Sequence, residues 1–405
     1  MLPATRRRIF TQKILFMTLL LLLLGCCYLI YLQLGKFQRT SENVQSSYYR
    51  LPRMQLEQNG DYWICNNFMR SSSTRLRGNA SITLTTHGTY RDFGHMDWLL
   101  VRWNGPISMA VYVHPGDSLE TLRKLYYIKY CTSGSHSWSH YVSLQLVFSD
   151  NQMPRLFQQM VWKRIAMMPC TRLVQKNPSS RGLKNPYNSS YPLHLLRNVA
   201  RLNAETLYVF PLEPGMLPTQ HFIRNFFGFL HRYHPRKRLK SVYCIPIFPQ
   251  VGEDLQLPKY KSQLLEQWKP HLHENRTLSA FELRKLDKWR SWLANPIRDG
   301  DIRVYLVTKS PHSCAAYVSS NADEPFYDQR YAESIYDTNS SKLQVLVGLG
   351  FDFVVLDGTF LIHRNSSSQL EYSREALHQA NSRQKLKHIR DLIKLNTFAQ
   401  DNRSD

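Results

Sequence analysis

Acidic residues are scarce in this chain of 405 residues, which has 30 aspartates and glutamates against 52 lysines and arginines. The formal net charge is therefore +22 at pH 7. In a soluble protein, clustered basic side chains would suggest nucleic acid as the partner. Here the basic residues are spread along the chain and outline no groove, so a solvated basic surface is the alternative interpretation.

Several catalytic signatures are missing as well. The sequence contains neither a Gly-x-Ser-x-Gly nucleophile elbow nor a His-Glu-x-x-His pair, which excludes the simplest hydrolase classes. Four histidines invite a metal interpretation but lack Cys or carboxylate companions at zinc-ligand spacing, and we interpret them as loop residues: His136, His140, His271 and His273. No internal repeat is present, so we expect one large domain or two modest ones.

One apolar segment lies near the N-terminus. Residues 14–34 are uncharged and rich in leucine, and a helix needs about 20 such residues to cross a bilayer. Basic residues precede the segment, which favours a cytoplasmic N-terminus. We predict a cytoplasmic tail at 1–13, a transmembrane signal anchor at 14–34, a stem at 35–59 and a lumenal domain at 60–405. A cleaved signal peptide is the competing interpretation.

Glycosylation sequons follow the apolar segment and support a lumenal domain. Six lack proline in the middle position, at Asn79, Asn188, Asn275, Asn339, Asn365 and Asn402. Five cysteines share this region, namely Cys65, Cys131, Cys170, Cys244 and Cys314. In an oxidising compartment they predict two disulfides and one free, buried thiol, with the pairing left open. A lumenal domain meets nucleotide-sugars, acidic glycans and membrane surfaces, so we expect no nucleic acid partner.

The middle of the chain joins an amphipathic helix to a strand and a polar turn. Leucine and valine recur at helical spacing over Pro192–Asn203. The other faces of this helix carry Arg197, Asn198 and Arg201. A β-rich apolar run then predicts a strand over Thr206–Leu212. The turn Glu213-Pro214-Gly215 closes that strand, and we place function there.

Helical and strand patterns alternate around this stretch. Ile82–Thr86 reads as a first strand, followed by a turn at His87, a helix that ends at Asn104, and a strand over Ile107–Val113. Further helices are predicted at 119–130 and 221–233, and further strands at 142–148 and 241–248. This α/β alternation predicts a mainly parallel, Rossmann-like sheet with helices on both faces. Ligands in such sheets bind outside the carboxyl ends of the strands, where Thr86, His87 and Glu213 would lie.

Five segments together resemble glycosyltransferase family 49 in their order along the chain. They are Ile82–Val113, Tyr187–Pro192, Tyr191–Thr219, Asp323–Tyr331 and Gly350–Arg364. The resemblance implies a single-domain GT-A fold on a Golgi type II membrane protein. It also implies transfer of glucuronic acid from UDP-glucuronate to a xylose-ended or similar glycan, in the O-mannosyl glycan pathway.

The metal motif of this family is altered here. Where family enzymes carry Asp-x-Asp, this chain has Glu213, Pro214 and Gly215. The resemblance implies manganese, which would stabilise the charge of the leaving diphosphate, with Glu213 and His363 as its remaining ligands. Three interpretations stay open. Those two residues and waters hold a weak ion, basic side chains such as Arg197 and Arg364 substitute for it, or transfer activity is lost.

The resemblance also suggests residues for the sugar transfer itself. The candidates for the general base that takes the acceptor proton are Asp328 and Glu324. The candidates for donor contact are Thr86, His87, Arg197 and Asn198. An arginine pairs with phosphate through two hydrogen bonds. The alternatives are a surface ion-pair network at Asp328, and a role in orienting the helix for Arg197 and Asn198.

Two hypotheses of different class follow. In the first, the chain is a Golgi glycosyltransferase that uses a UDP-sugar. In the second, it is a catalytically inactive relative that binds a partner glycosyltransferase or an acidic glycan through its basic surface. Three tryptophans at 268, 289 and 292 predict packing within helices, and sugar stacking is their alternative role.

Overall fold

The structure is a computed structural model that describes residues 55–73, 78–114, 117–149, 168–173, 191–233, 240–250, 256–273, 289–329 and 340–364, with five helical positions between 17 and 28. No helix among these residues is long and apolar enough to span a bilayer. The predicted cytoplasmic tail lies outside the described residues, as does most of the predicted anchor. Of the sequons, Asn79 lies exposed in a strand, and outside the described residues are Asn188, Asn275, Asn339, Asn365 and Asn402.

The described residues form thirteen strands. They are β1 (Gln55–Asn59), β2 (Tyr62–Met69), β3 (Gly78–Gly88), β4 (Ile107–Val113), β5 (Val142–Ser149), β6 (Thr206–Pro211), β7 (Met216–Pro218), β8 (Ser241–Ile245), β9 (Ile247–Pro249), β10 (Arg303–Thr308), β11 (Ala316–Ser320), β12 (Asp352–Asp357) and β13 (Leu361–His363). The labelled helices are α1 (Phe93–Trp103), α2 (Ser118–Cys131), α3 (Ser135–Tyr141), α4 (Cys170–Leu173), α5 (Leu193–Leu202), α6 (Phe222–Arg232), α7 (Lys261–His273) and α8 (Ser340–Gly348).

Ten of the strands form one sheet in the order β1-β2-β5-β4-β3-β6-β11-β8-β12-β10. The block β5-β4-β3-β6 is parallel throughout, and so is the pair β8–β12. The other neighbours are antiparallel. The prediction of a mainly parallel sheet is therefore right for the central block and wrong for the whole sheet. The strand β11 enters the sheet between β6 and β8 in the opposite direction, and antiparallel strands are also added at both edges, by β1 and β2 on one side and β10 on the other.

Helices cover both faces of the sheet, as predicted. On one face, side chains of α1, α2 and α6 pack with β4 and β5 in a large apolar cluster. On the other face, α5 places Leu195, Leu196 and Val199 against Ala110 and Tyr112 of β4. Because the strands alternate their side chains between these two clusters, the sheet is a central layer between two helical layers.

The helix predicted over Pro192–Asn203 is confirmed with nearly its predicted length. Helix α5 runs over Leu193–Leu202, and Pro192 and Asn203 are its capping positions. Its polar residues are buried like Leu193, Leu195 and Leu196, whereas the last residue, Leu202, is exposed; the buried polar residues are His194, Arg197, Asn198 and Arg201. Burying such side chains is costly unless each one finds partners. Something must therefore pack on the polar face of α5.

Two predicted boundaries move. Gln55–Asn59, assigned to the stem from sequence, pairs with β2 as an edge strand of the main sheet. The strand predicted over 241–248 is divided at Pro246 into β8 and β9, and β9 belongs to a small second sheet in the order β7-β13-β9. Proline cannot donate a ladder hydrogen bond, which explains the division.

The three tryptophans predicted on helices pack in a core. Trp268, Trp289 and Trp292 join one apolar cluster with Phe248 and Phe353. Trp268 and Trp292 expose 1% and 0% of their surface. The packing prediction is confirmed, and the alternative that these rings stack on a sugar is wrong.

The cysteines follow the prediction from sequence. Disulfides join Cys131 to Cys170 and Cys244 to Cys314. Cys65 is free and buried, and burial raises the pKa of its thiol to about 12. The first bridge ties α2 to α4, and the second ties β8 to the segment just before β11.

Candidate functional site

A small polar pocket lies where the parallel neighbours β3 and β6 end. Its lining residues are Thr85, Thr86, His87, Arg197, Pro211, Leu212, Glu213 and Tyr327. The two strand ends coincide because Thr85 pairs with Pro211 in the sheet. The free space is about 10 Å³, roughly the room that one water molecule needs. Four residues predicted from sequence meet in this pocket: Thr86, His87, Arg197 and Glu213.

Glu213 is the acidic centre of the pocket. Its Oε2 atom lies 2.8 Å from Nε2 of His87, and its Oε1 atom accepts a hydrogen bond from the Arg197 guanidinium. Burial alone would raise the pKa of this carboxyl, but the charges and hydrogen bonds of Arg197 and His87 lower it well below its usual value. Glu213 is therefore ionised at neutral pH, and both of its oxygens are engaged.

His87 links the carboxylate to a group of aromatic rings. The imidazole is 2% exposed, and its Nδ1 atom lies 2.8 Å from the hydroxyl of Tyr191. Because an ionised carboxylate only accepts hydrogen bonds, Nε2 of His87 carries the proton that is shared with Glu213. Tyr191 packs edge-on against Tyr112 at 5.7 Å between ring centres. These contacts fix the orientation of the imidazole at the pocket.

The polar face of α5 carries the segment that follows β11. The amide of Asn198 donates to the backbone oxygen of Tyr327 at 2.8 Å and accepts from its backbone N–H at 2.9 Å. Arg201 donates to backbone oxygens of Asn321, Glu324 and Pro325. The burial of these polar residues is explained, because this segment satisfies them. Asn198 therefore positions the Tyr327 backbone, which supports the orienting alternative for this residue.

Tyr327 closes the pocket from this segment. The guanidinium carbon of Arg197 lies 5.0 Å from the centre of the Tyr327 ring, so the arginine is held between an ion pair and an aromatic face. Burial and the neighbouring acidic groups Glu324 and Glu213 raise the pKa of the Tyr327 phenol, although Arg197 opposes them. Tyr327 is neutral at physiological pH and serves as a hydrogen-bonding wall.

Glu324 belongs to a second buried cluster. Its carboxylate accepts hydrogen bonds from the hydroxyls of Tyr317 and Ser319 and lies 3.2 Å from the ammonium of Lys342. The side chains of Glu324 and Lys342 are each 1% exposed. Burial lowers the pKa of Lys342 to about 8, with Glu324 opposing this change. The role of Glu324 as general base stays a prediction, and the contacts show a packed ion pair.

Asp328, the other predicted base, lies at the end of the same segment. The residue is half-buried, and its backbone oxygen is 2.6 Å from Nδ1 of His194 on α5. This contact fixes the backbone at Asp328 against α5. The assignment of Asp328 as general base stays a prediction.

His363 lies beside the turn that carries Glu213. It pairs with Met216 across β13 and β7, and the next backbone N–H, that of Arg364, donates to the oxygen of Gly215 at 3.1 Å. Gly215 has φ +84°, a conformation that favours glycine over the aspartate of an Asp-x-Asp motif. Within the described ranges, no three His, Cys, Asp or Glu side chains are placed to share a metal ion. Since Glu213 is also engaged, the residues found here do not fit a manganese site.

Sequence reasoning missed several residues of this region. Tyr327 and Tyr191 lie inside segments that carried the family resemblance, so their position offered a signal that was not used. Lys342 offered none, because a lysine in a polar stretch predicts exposure. Its burial depends on Glu324, which only the folded chain brings into contact with it.

The charged pocket lies at the carboxyl ends of parallel strands, which is where open α/β sheets bind their ligands. The profile of glycosyltransferase family 49, described as glycosyl-transferase for dystroglycan, matches residues 81–396. The chain therefore belongs to this family.

Relatives with known names agree with this membership. β-1,4-Glucuronyltransferase 1 of Danio rerio is 22% identical over 338 residues, which cover 77% of this chain and 74% of the relative. The Homo sapiens protein of the same name is 22% identical, with 80% and 77% covered. Xylosyl- and glucuronyltransferase LARGE2s of Gallus gallus is 22% identical, but only 35% of its length is covered. Among solved structures, S. aureus TarS 1–349 aligns at 10% identity over 69% of this chain and 60% of its own, and its TM-score of 0.31 is too low to carry an argument.

Proposed function

We propose that the protein is a glycosyltransferase that moves a sugar from a nucleotide-sugar donor to a glycan acceptor. The observation that carries this proposal is the pocket of His87, Arg197 and Glu213 at the carboxyl ends of β3 and β6, in a chain of family 49. Strand ends are where open α/β sheets bind their ligands. The pocket itself holds about one water, so the donor would lie across its mouth.

The donor that we propose is UDP-glucuronate, with glucuronic acid as the transferred sugar. The relatives from Danio rerio and Homo sapiens are named as β-1,4-glucuronyltransferases, which supports this choice. Arg197 keeps its positive charge at the strand ends, where a fixed charge stabilises the growing charge of a leaving diphosphate. Thr86 and His87 line the same mouth, and Asn198 acts through Tyr327. Asp328 is our proposed general base for the acceptor hydroxyl.

We further propose a Golgi location, with a single-pass type II topology, N-glycosylation and a part in O-mannosyl glycan synthesis. Two disulfides fit an oxidising lumenal compartment. The apolar segment at 14–34 and the sequons that follow it support the same orientation. The pathway rests on the family description, which names dystroglycan.

The proposed transfer does not depend on manganese. A bound ion would stabilise the charge of the leaving nucleotide, but the residues present do not fit it, because the oxygens of Glu213 are engaged by His87 and Arg197. Of the three interpretations of the altered motif, we propose the one in which a basic side chain, here Arg197, takes the place of the metal.

The second candidate function is a catalytically silent relative that binds a partner glycosyltransferase or an acidic glycan. The specific observation in its favour is the same engaged carboxylate. A Glu213 that only holds Arg197 and His87 in place would be a packing group left from an ancestral donor site. The basic balance of the chain, +22, suits an acidic glycan.

Calorimetric titration of the detergent-solubilised full chain with UDP and with UDP-glucuronate, each with manganese and with chelator, tests the proposal. We expect UDP-glucuronate to bind equally with and without chelator, and Arg197→Met to abolish binding. The matched control is Arg232→Met, which removes an exposed arginine paired with Asp301. Binding that requires manganese would show that the protein does hold a metal ion at this site. Absence of binding in all four titrations would overturn the proposed transferase activity and favour the catalytically silent relative.

A further inference from the structure

One tryptophan of the described residues differs from the rest in exposure. Trp98 on α1 is 56% exposed. Trp103, Trp138, Trp268 and Trp292 are at most 3% exposed. An exposed indole keeps a large apolar surface in water, and because single exposed apolar residues are common, only its position in the fold can point to a use.

Trp98 lies on the stripe of α1 that faces the turn after Glu213. One turn before it, the ring of His95 comes within 3.9 Å of the place where a Cβ on Gly215 would be. One turn after it, Nη1 of Arg102 donates to the backbone oxygen of Pro218 at 3.2 Å. Residues three and four apart on a helix share a face. Trp98 therefore lies alongside β7, between two contacts that fix the helix against the pocket turn.

Arg364 completes this rim from the other side. Its backbone N–H donates to the oxygen of Gly215 at 3.1 Å. Its guanidinium carbon lies 4.6 Å from the centre of the Trp98 ring. The indole and the guanidinium are thus in contact, and the backbone of Arg364 is bonded two residues from Glu213. We call Trp98 and Arg364 the rim pair.

The charges around the rim pair favour an anion. Asp97, next to Trp98 in sequence, accepts from the indole N–H of Trp138 at 3.2 Å and is directed towards α3. Burial lowers the pKa of His95, with Arg364 adding to this effect and Asp92 opposing it, so His95 is neutral near pH 7. Arg364 is therefore the charge that a ligand of the exposed indole would meet.

We propose that the rim pair is a subsite for an acidic sugar of the glycan acceptor, with the sugar ring on the indole and its carboxylate on the guanidinium. The apolar C–H face of a sugar ring packs on an aromatic surface. A guanidinium pairs with a carboxylate through two parallel hydrogen bonds. The proposal rests on the transferase function above and assigns the substrate class of its acceptor side, next to the pocket and outside it.

The probe for this subsite is a hyaluronan tetrasaccharide, which contains glucuronate, compared with its carboxyl-reduced neutral form. Binding to the full chain is measured by calorimetry and by quenching of tryptophan fluorescence. We expect the acidic form to bind about tenfold more tightly than the neutral form, and both Trp98→Ala and Arg364→Met to weaken acidic-form binding about tenfold, the effect of one such contact. Val101→Ala, at an 81% exposed position on the same helix, is the matched control and should change nothing.

The outcomes separate this proposal from the transferase function. Equal binding of the acidic and neutral forms would overturn the acidic class, and unchanged binding by Trp98→Ala would overturn the site. If Trp98→Ala weakens UDP-glucuronate binding and leaves tetrasaccharide binding intact, the rim pair serves the donor and the proposal is wrong. If wild type binds the tetrasaccharide through Trp98 but never binds UDP-glucuronate, the subsite stands and the transferase function falls. Thermal melting of each variant shows whether it is folded.

Discussion

Glu213 and Glu324 are two carboxylates with similar positions in the sequence motifs but different surroundings in the fold. Both lie in family-like segments and both are paired with a cation. The side chain of Glu213 is 16% exposed and lines a pocket with Arg197, whereas that of Glu324 is 1% exposed and lies against Lys342. Chemistry requires access as well as charge. We therefore propose a site role for Glu213, and we call Glu324 and Lys342 the framework pair.

The largest effect is expected when the framework pair is broken. Lys342→Met leaves the buried Glu324 carboxyl without its partner, and breaking a buried pair costs about 3–5 kcal/mol of unfolding free energy. Urea denaturation at pH 7 measures the loss. The control is Lys309→Met, because Lys309 forms an ion pair with Asp352 while 68% exposed, and such pairs contribute less than about 1 kcal/mol. Equal losses in the two variants would mean that Glu324 does not depend on Lys342.

The framework pair also predicts an alkaline pH dependence. Burial lowers the pKa of Lys342 to about 8 in the folded chain from an ordinary value of 10.5. Between these values the unfolded chain binds more protons, so stability should rise with pH from about 8 to about 10, by roughly 2–3 kcal/mol for this group. The Cys65 thiol, whose pKa burial raises from 9.0 to about 12, acts in the opposite direction above about pH 9, and the raised pKa of Tyr317 does so above pH 10. Lys342→Met should flatten the rise, and an unchanged slope would contradict the assignment.

The same two carboxylates show how far sequence reasoning reaches. The boundaries of α5 and the strand before Glu213 are predictable, because local spacing of apolar residues decides them. The burial of Asn198 and Arg201 is not, because their partners lie more than a hundred residues away in the segment after β11. The antiparallel entry of β11 was missed for the same reason. Access to the pocket, which distinguishes Glu213 from Glu324, is a property of the assembled fold.

At the pocket, Glu213→Gln should cost less than the framework variant. The amide still fills the space and accepts one hydrogen bond, but it removes the negative charge between Arg197 and His87. We expect a loss of about 1–3 kcal/mol in unfolding free energy, together with lost binding of UDP-glucuronate. A variant that keeps full binding would remove Glu213 from the site. Glu324→Gln, which is isosteric in the same way, should lower stability without this selective loss of binding.

An acid titration sharpens the assignment of Glu213. Its folded pKa lies well below the ordinary value of 4.5, so the stability that it contributes is present above pH 4.5 and is lost as the pH falls through the folded pKa. The difference in unfolding free energy between wild type and Glu213→Gln should be constant from pH 7 to about 5 and shrink at lower pH. A difference that stays constant to pH 3 would show that the carboxyl is not stabilised as its ionised form.

The smallest effect on stability and the most selective effect on chemistry should come from Asp328. Asp328→Asn keeps the size of the side chain and the backbone contact with His194, so the loss of unfolding free energy should be smaller than in the variants above. If Asp328 takes the acceptor proton, the rate of sugar transfer falls by about 10²–10⁴-fold while donor binding is unchanged. Glu324→Gln is the matched comparison, because there any loss of rate should accompany a loss of stability. Should Asp328→Asn transfer sugar at the wild-type rate, the base must be sought elsewhere along the pocket mouth.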